Sequence, residues 1–154
     1  MTEFKKAKKV FLDTTPLIYF LDADEHFGEK TRQILEQILS GKGEVVSSVI
    51  TETEYLVYPY RTGNQEKIDA FFEFVGDCDI DLYEIDVDIA RKAAQIRAEY
   101  RDFKAMDSLQ LAAALCTGCD TFLTNDKRLR QFREVKCVTV EEWDLKHTEN
   151  GSLC

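Results

Sequence analysis

With 154 residues, 44% apolar and 32% charged, the chain has the length of one ordinary domain and enough apolar side chains to bury a core. That composition excludes disordered and fibrous classes, and the longest apolar runs, such as Leu109 to Cys116, stop well short of the ~20 residues that a bilayer span needs. The formal net charge of −9 excludes a uniformly basic nucleic-acid binder, so any phosphate contact has to rely on locally concentrated cations or on a metal ion.

Four lysines (Lys5, Lys6, Lys8, Lys9) precede the first apolar stretch, which meets Asp13 almost at once. That pattern does not make a secretory leader, and a cytoplasmic protein is expected. Five cysteines at irregular spacings do not form a disulfide framework. Cys116 and Cys119 make one C-x-x-C, but a closed zinc site needs four ligands, and His26 and His147 lie far away in sequence. Cys116 ends an apolar helical pattern and is expected to be a small buried hydrophobe.

Strand and helix signals then alternate along the chain. Lys9 to Leu12 is a short apolar strand ending at Asp13, and Thr14-Thr15-Pro16 reads as a helix start with a hydroxyl cap and Pro in the first turn. A helix follows from about Glu29 to Leu39 on Ile34, Leu35, Ile38 and Leu39, stopped by Gly41 and Gly43. Glu44 to Ser47 is a strand. Ser48 caps a helix expected to run to about Tyr58 and to end at Pro59.

Asn64 to Val75 is amphipathic through Ile68, Phe71, Phe72 and Val75. Asp81 to Ile85 is a strand, and Asp86 caps a helix through Ile89, Ala93, Ile96 and Tyr100. Lys104 to Cys116 is an Ala- and Leu-rich helix closed by Gly118, with strands at Thr121 to Leu123 and Lys136 to Val138. Short apolar strands alternating with helices imply an α/β fold whose central, mostly parallel β-sheet is flanked by helices. The domain is expected over residues 1–146, with a loose polar tail at 147–154.

In parallel α/β sheets the ligand site lies beyond the carboxyl ends of the strands, and two strands here deliver a carboxylate to that edge. Asp13 follows the first, in Phe11-Leu12-Asp13-Thr14-Thr15, and Asp126 follows another, in Phe122-Leu123-Thr124-Asn125-Asp126. Either acid alone fits helix capping as well as it fits catalysis. Asp107 begins a helix that is apolar over most of its surface, where a carboxylate is costly unless it is paired, hydrogen-bonded or metal-bound. Glu52 and Glu54 point in different directions on one helix, so at most one of them reaches such a site.

A cluster of hard oxygen donors suits Mg²⁺ or Mn²⁺. The chain lacks a nucleophile elbow, a Walker loop, a dinucleotide fingerprint and an H-E-x-x-H helix, and its two histidines lie far apart. Metal-activated water is the remaining route to a nucleophile at neutral pH.

Together these segments resemble the PIN-domain family, in particular the VapC toxins of prokaryotic toxin–antitoxin pairs. Phe11-Leu12-Asp13-Thr14-Thr15-Pro16-Leu17-Ile18 resembles the first acidic motif of that family, and Ser48-Val49-Ile50-Thr51-Glu52-Thr53-Glu54 the second, with the acid six positions after the serine. That register selects Glu54 over Glu52. Lys104 to Ala114 around Asp107 resembles the third motif, and Phe122 to Asp126 the fourth.

The resemblance covers almost the whole chain and implies a catalytic set of Asp13, Glu54, Asp107 and Asp126. Asp13, Asp107 and Asp126 would be ligands of Mg²⁺ or Mn²⁺, and Glu54 would orient the attacking water. It also implies cleavage of RNA phosphodiester bonds, a homodimer, and inhibition by a cognate antitoxin protein.

Lys127, Arg128, Arg130 and Arg133 after Asp126, with Arg97, Arg101 and Lys104 before Asp107, make either a local track for the RNA backbone or a solvated face balanced by nearby acids. Thr124 and Asn125 either support the acidic shell or shape the turn. The competing functions are a catalytically silent partner-binding module and a DNA-directed nuclease. A small-ester phosphatase of the Asp-x-Asp type is disfavoured, because Thr15 stands two positions after Asp13.

Overall fold

Along β1 (Lys9–Leu12) successive side chains fall on opposite faces of the sheet, and both faces are covered. Val10 and Leu12 enter one hydrophobic core, and Phe11 enters the other. A strand buried on both sides reads as a continuous apolar run, which explains why the short Val10-Phe11-Leu12 segment carries no polar alternation. The computed structural model describes residues 7–145.

After β1 come α1 (Thr14–Leu21), α2 (Gly28–Ser40), β2 (Glu44–Ser48), α3 (Val49–Thr62), α4 (Gln65–Asp77) and β3 (Asp81–Tyr83). The chain continues through α5 (Val87–Glu99), α6 (Ala105–Cys116), β4 (Thr121–Thr124), a 3-10 helix (Lys127–Gln131) and β5 (Lys136–Thr139). The five strands form one sheet in the order β3-β2-β1-β4-β5, and every pairing is parallel. Helices α1 to α4 pack on the Val10 and Leu12 face through Leu17, Ile34, Leu35, Leu56 and Phe71. Helices α5 and α6 cover the Phe11 face, where Phe11 stacks on Phe122 with ring centroids 5.2 Å apart. Leu111 to Ala114 are fully buried, so α6 is enclosed on most sides here; burying the Leu111 side chain contributes about 1.5–3 kcal/mol, and each alanine methyl less.

The strand order places the site. The chain builds outward from β1 to β2 and β3, then crosses to the other side of β1 for β4 and β5. Crossovers diverge between β1 and β4, and in open parallel sheets ligands bind beyond the carboxyl ends of the strands at such a switch point.

Four local expectations are corrected. Asp13, not a threonine, is the N-cap of α1: its carboxylate accepts from Thr14 N at 2.9 Å, and Pro16 still sits in the first turn, where its missing N–H costs nothing. Helix α3 passes through Pro59 and runs to Thr62. It stops at Gly63, whose φ of 65° suits glycine, with Asn64 N donating to Pro59 O at 2.8 Å. Strand β3 ends at Tyr83, two residues before the expected Ile85. Cys116 is exposed, because the buried face of α6 has turned away by its last residue; Cys119 is the buried member of the C-x-x-C. The expected tail at 147–154 lies outside the described residues.

Candidate active site

The first carboxylate is held from both strands at the switch point. Asp13 leaves β1 with its N–H donating to Leu123 O of β4 at 2.9 Å, so its position is an extension of the sheet. Its Oδ1 caps α1, and its Oδ2 accepts from the Thr124 hydroxyl at 2.9 Å. Thr124 is fully buried and its Oγ1 also accepts from Asp126 N at 3.1 Å, so one hydroxyl positions both strand-end acids. Burial pushes the Asp13 carboxyl up to about 6; the bonds from Thr124 and Thr14 oppose this, and the charges of Asp107 and Glu54 add to it.

Glu54 reaches the same place from α3. Its Oε1 accepts from the Thr14 hydroxyl at 2.8 Å, so it stands beside the residue that follows Asp13. Glu52 makes no such bond, and the geometry therefore brings Glu54 to the cluster.

Below these acids runs a chain of buried polar groups that the sequence did not single out. Gln110 Nε2 donates to Thr51 Oγ1 at 2.7 Å, Thr51 lies 2.8 Å from Ser47 Oγ, and Ser47 donates to Leu12 O at 2.7 Å. Ser48 donates to Gln110 Oε1 while capping α3 through Ile50 N. The proton order follows from the inventory of donors. Ser47 has given its hydrogen to Leu12 O, so Thr51 must donate to Ser47 while accepting from Gln110. This network ties α6, α3 and β2 to the carbonyl immediately before Asp13. The signals for it in sequence were faint: Gln110 is a polar residue inside an apolar helix, and Thr51 sits one turn after the Ser48 cap.

Asp107 and Asp126 meet on an arginine. Asp107 Oδ2 accepts from Lys104 N at 3.1 Å and so caps α6 from its third position. Asp126 caps the 3-10 helix, accepting from Arg128 N at 3.0 Å. The Arg128 side chain folds back over both: Nε donates to Asp126 Oδ1 at 3.0 Å, Nη2 donates to Asp126 Oδ2, and the same Nη2 lies 3.6 Å from Asp107 Oδ2. The guanidinium holds the Asp126 carboxyl below the usual carboxylate range. Capping and clustering are thus the same geometry here, since each cap aims its carboxylate along the carboxyl edge of the sheet. Among the described residues, no three His, Cys, Asp or Glu side chains converge on a single metal position.

The basic residues after Asp126 are largely matched by acids. Lys127 pairs with Glu141 at 3.7 Å, Arg130 with Glu142, and Arg128 with the site itself. Asn125 donates to the Tyr19 hydroxyl, so it braces the turn against α1. Cys137, buried and near the charge of Asp13, has its thiol pushed up to about 12 and is no thiolate nucleophile at neutral pH. A surface hollow of about 570 Å³ lies elsewhere, at the turn between α3 and α4 around Tyr58, Asn64 and Lys67, and touches none of the four acids.

No curated protein matches the chain in sequence. Solved structures match in fold. VapBC2 of Rickettsia felis, bound to a DNA fragment from its promoter, aligns with a TM-score of 0.71 at 13% identity, over 85% of this chain and 98% of that one. FitAcB of Neisseria gonorrhoeae aligns at 0.67 and 21% identity, over 87% and 99%. VapC20 of Mycobacterium tuberculosis, a sarcin–ricin-loop-cleaving toxin, aligns at 0.60 and 16% identity, over 82% and 98%. The PIN-domain family model matches residues 10–135, most of the chain, and the protein belongs to the PIN-domain family.

Proposed function

We propose that this PIN domain is a VapC-type toxin, a Mg²⁺- or Mn²⁺-dependent endoribonuclease held in check by a cognate antitoxin and paired with a second copy of itself. The observation that carries the reading is a set of pairwise links beyond the carboxyl ends of β1 and β4: Asp13 and Glu54 meet on Thr14, Asp13 and Asp126 on Thr124, and Asp107 and Asp126 on Arg128. The toxin and RNA assignments lean on the family and on fold neighbours that include a sarcin–ricin-loop-cleaving toxin and a toxin–antitoxin complex.

The residues fit a divalent ion in their chemistry. The donors are carboxylate oxygens, and a guanidinium already stands in for a cation between two of them. Asp13, Asp107 and Asp126 would hold the ion. When bound, the ion supplies an acidified water and offsets charge building on the phosphate. Asp13 is kept from rotating by Thr14 N and the Thr124 hydroxyl, so its oxygens are aimed before substrate arrives. Glu54, oriented by Thr14, accepts the proton of the attacking water. The exposed apolar side chains Val57, Tyr58 and Tyr60 of α3 and Phe72 of α4 offer surface for a protein partner.

The test is cleavage of labelled RNAs by antitoxin-free protein with Mn²⁺ or Mg²⁺, beside Asp107→Asn. Metal-dependent cutting that EDTA and the substitution abolish supports the nuclease. Cutting of single-stranded DNA alone would transfer the reading to a DNA-directed nuclease. A catalytically silent partner-binding module is the second reading, favoured by the pairing of the basic side chains beside Asp126 with acids. Metal binding without cleavage of either nucleic acid would support it.

A further inference from the structure

Two acids placed to hold a metal ion repel each other until something neutralises them, and here an arginine of the same chain does so. Of the three bases on the 3-10 helix, Lys127 and Arg130 turn away to Glu141 and Glu142, and only Arg128 turns into the site. Its guanidinium is held on three sides: by both oxygens of Asp126, by Asp107 Oδ2, and by Asp102 O, which accepts from Nη1 at 3.0 Å. Gln131 braces the same corner, donating to Asp102 Oδ2 at 3.1 Å and to Arg128 O at 3.0 Å. The Arg128 side chain is nevertheless 42% exposed, so it can swing into water without opening a void in the core.

We propose that Arg128 is the resident counter-cation of the acidic site: it occupies the place between Asp126 and Asp107 in the metal-free protein, competes with a divalent ion for both carboxylates, and is displaced into solvent when the ion binds. The inference rests on the metal-dependent reading above. It accounts for the absence, among the described residues, of three acids converging on one point, because two of them are turned toward the guanidinium. A forked guanidinium binds a carboxylate with two parallel bonds and is stronger than a single surface ion pair, yet its exposure keeps the contact within reach of water. Opening it should therefore cost the metal a modest factor in affinity, enough to set a threshold without closing the site.

The experiment is calorimetric titration of Mn²⁺ into metal-stripped protein, comparing the parent with Arg128→Gln, Arg128→Lys and Arg130→Gln. Arg128→Gln should bind Mn²⁺ about three- to tenfold more tightly than the parent, a change of up to about 1.4 kcal/mol. Arg128→Lys keeps a charge without the fork and should fall between the two, and it reads the same competition if the glutamine variant folds poorly. Arg130→Gln, whose partner is Glu142, should match the parent. Equal or weaker Mn²⁺ binding by both Arg128 variants overturns the counter-cation while leaving the metal site standing. No binding by any of the proteins at millimolar Mn²⁺ overturns the metal-dependent reading and this inference with it.

Discussion

The Thr124 hydroxyl donates to Asp13 Oδ2 at 2.9 Å, so the last residue of β4 orients the first residue beyond β1. The same oxygen takes the N–H of Asp126 at 3.1 Å. Two carboxylates on separate strands are therefore set by one buried side chain, and any change to that side chain reaches both.

Thr124→Val keeps the volume and removes the bond. It leaves Asp126 N without its acceptor and Asp13 without one donor, a loss of about 1–3 kcal/mol in stability. Groups that orient metal-binding carboxylates typically cost about 10–100-fold when removed, so RNA cleavage and Mn²⁺ affinity should both fall by that order, with Thr124→Ser recovering most of the loss. Steady-state kinetics beside Mn²⁺ titration check this. An unchanged Mn²⁺ affinity in Thr124→Val would reduce Thr124 to a purely structural role.

Asp13 gives a pH dependence whose sign runs against the usual carboxylate. Its folded value, about 6, lies above the ordinary 3.8, so the folded state binds the proton more tightly than the unfolded chain does. That contribution is present at acid pH and is lost as pH rises from about 4 to 6. Asp13→Asn abolishes it while keeping an oxygen for Thr14 N. In EDTA the variant should gain on the parent by about 1–2 kcal/mol between pH 4 and pH 7, after allowing for partial solvent screening. Urea melts at the two pH values measure the gain; a constant difference between the proteins would refute the assignment. Saturating Mn²⁺ should reverse the order, because an ion favours the ionised form only in the parent.

Gln110→Leu should be among the costlier single changes in the domain. Gln110 is 1% exposed and serves both Thr51 and Ser48, themselves fully buried. Removing it takes the acceptor from the Ser48 hydroxyl and one donor from Thr51, which keeps its bond to Ser47, a loss of about 1–3 kcal/mol. Equilibrium urea unfolding should show a lower midpoint at unchanged slope. A loss below about 0.5 kcal/mol, the scale of a neutral surface change, would mean that water replaces the amide.

Glu54 and Glu52 separate by activity. Glu54→Gln keeps the bond from Thr14 but cannot take a proton, and cleavage should fall at least about 100-fold, the usual scale for a lost general base. Glu52→Gln should leave the rate within about threefold, inside the scatter of surface substitutions. Single-turnover cleavage of one labelled RNA distinguishes them, and equal losses would undo the choice of register.

The scaffold of the site was legible because its signals are local. Val10-Phe11-Leu12 and Thr121-Phe122-Leu123 are apolar runs that end at or just before an acid, and both became parallel neighbours with Phe11 opposite Phe122. The extent of α3 was not legible. Pro59 forfeits one backbone bond, but its burial holds it in the helix, and the stop is set four residues later by a left-handed glycine. Nor was the buried network, since the partners of Ser47, Thr51 and Gln110 come together only when α6 is laid against β2 and α3. Arg128 was legible as a charge and not as a partner, because its contact with Asp107 depends on how α6 meets the turn after β4.

The N-caps at Asp13 and Asp126 carry an evolutionary consequence. Asparagine caps a helix about as well as aspartate does, and the two differ by a single nucleotide. One such change at either position removes a charge from the cluster and leaves the helix start intact. Inactive copies that still fold, and still present the exposed aromatic surface of α3, therefore lie one mutational step from the parent, whereas alanine at the same positions would loosen the scaffold as well.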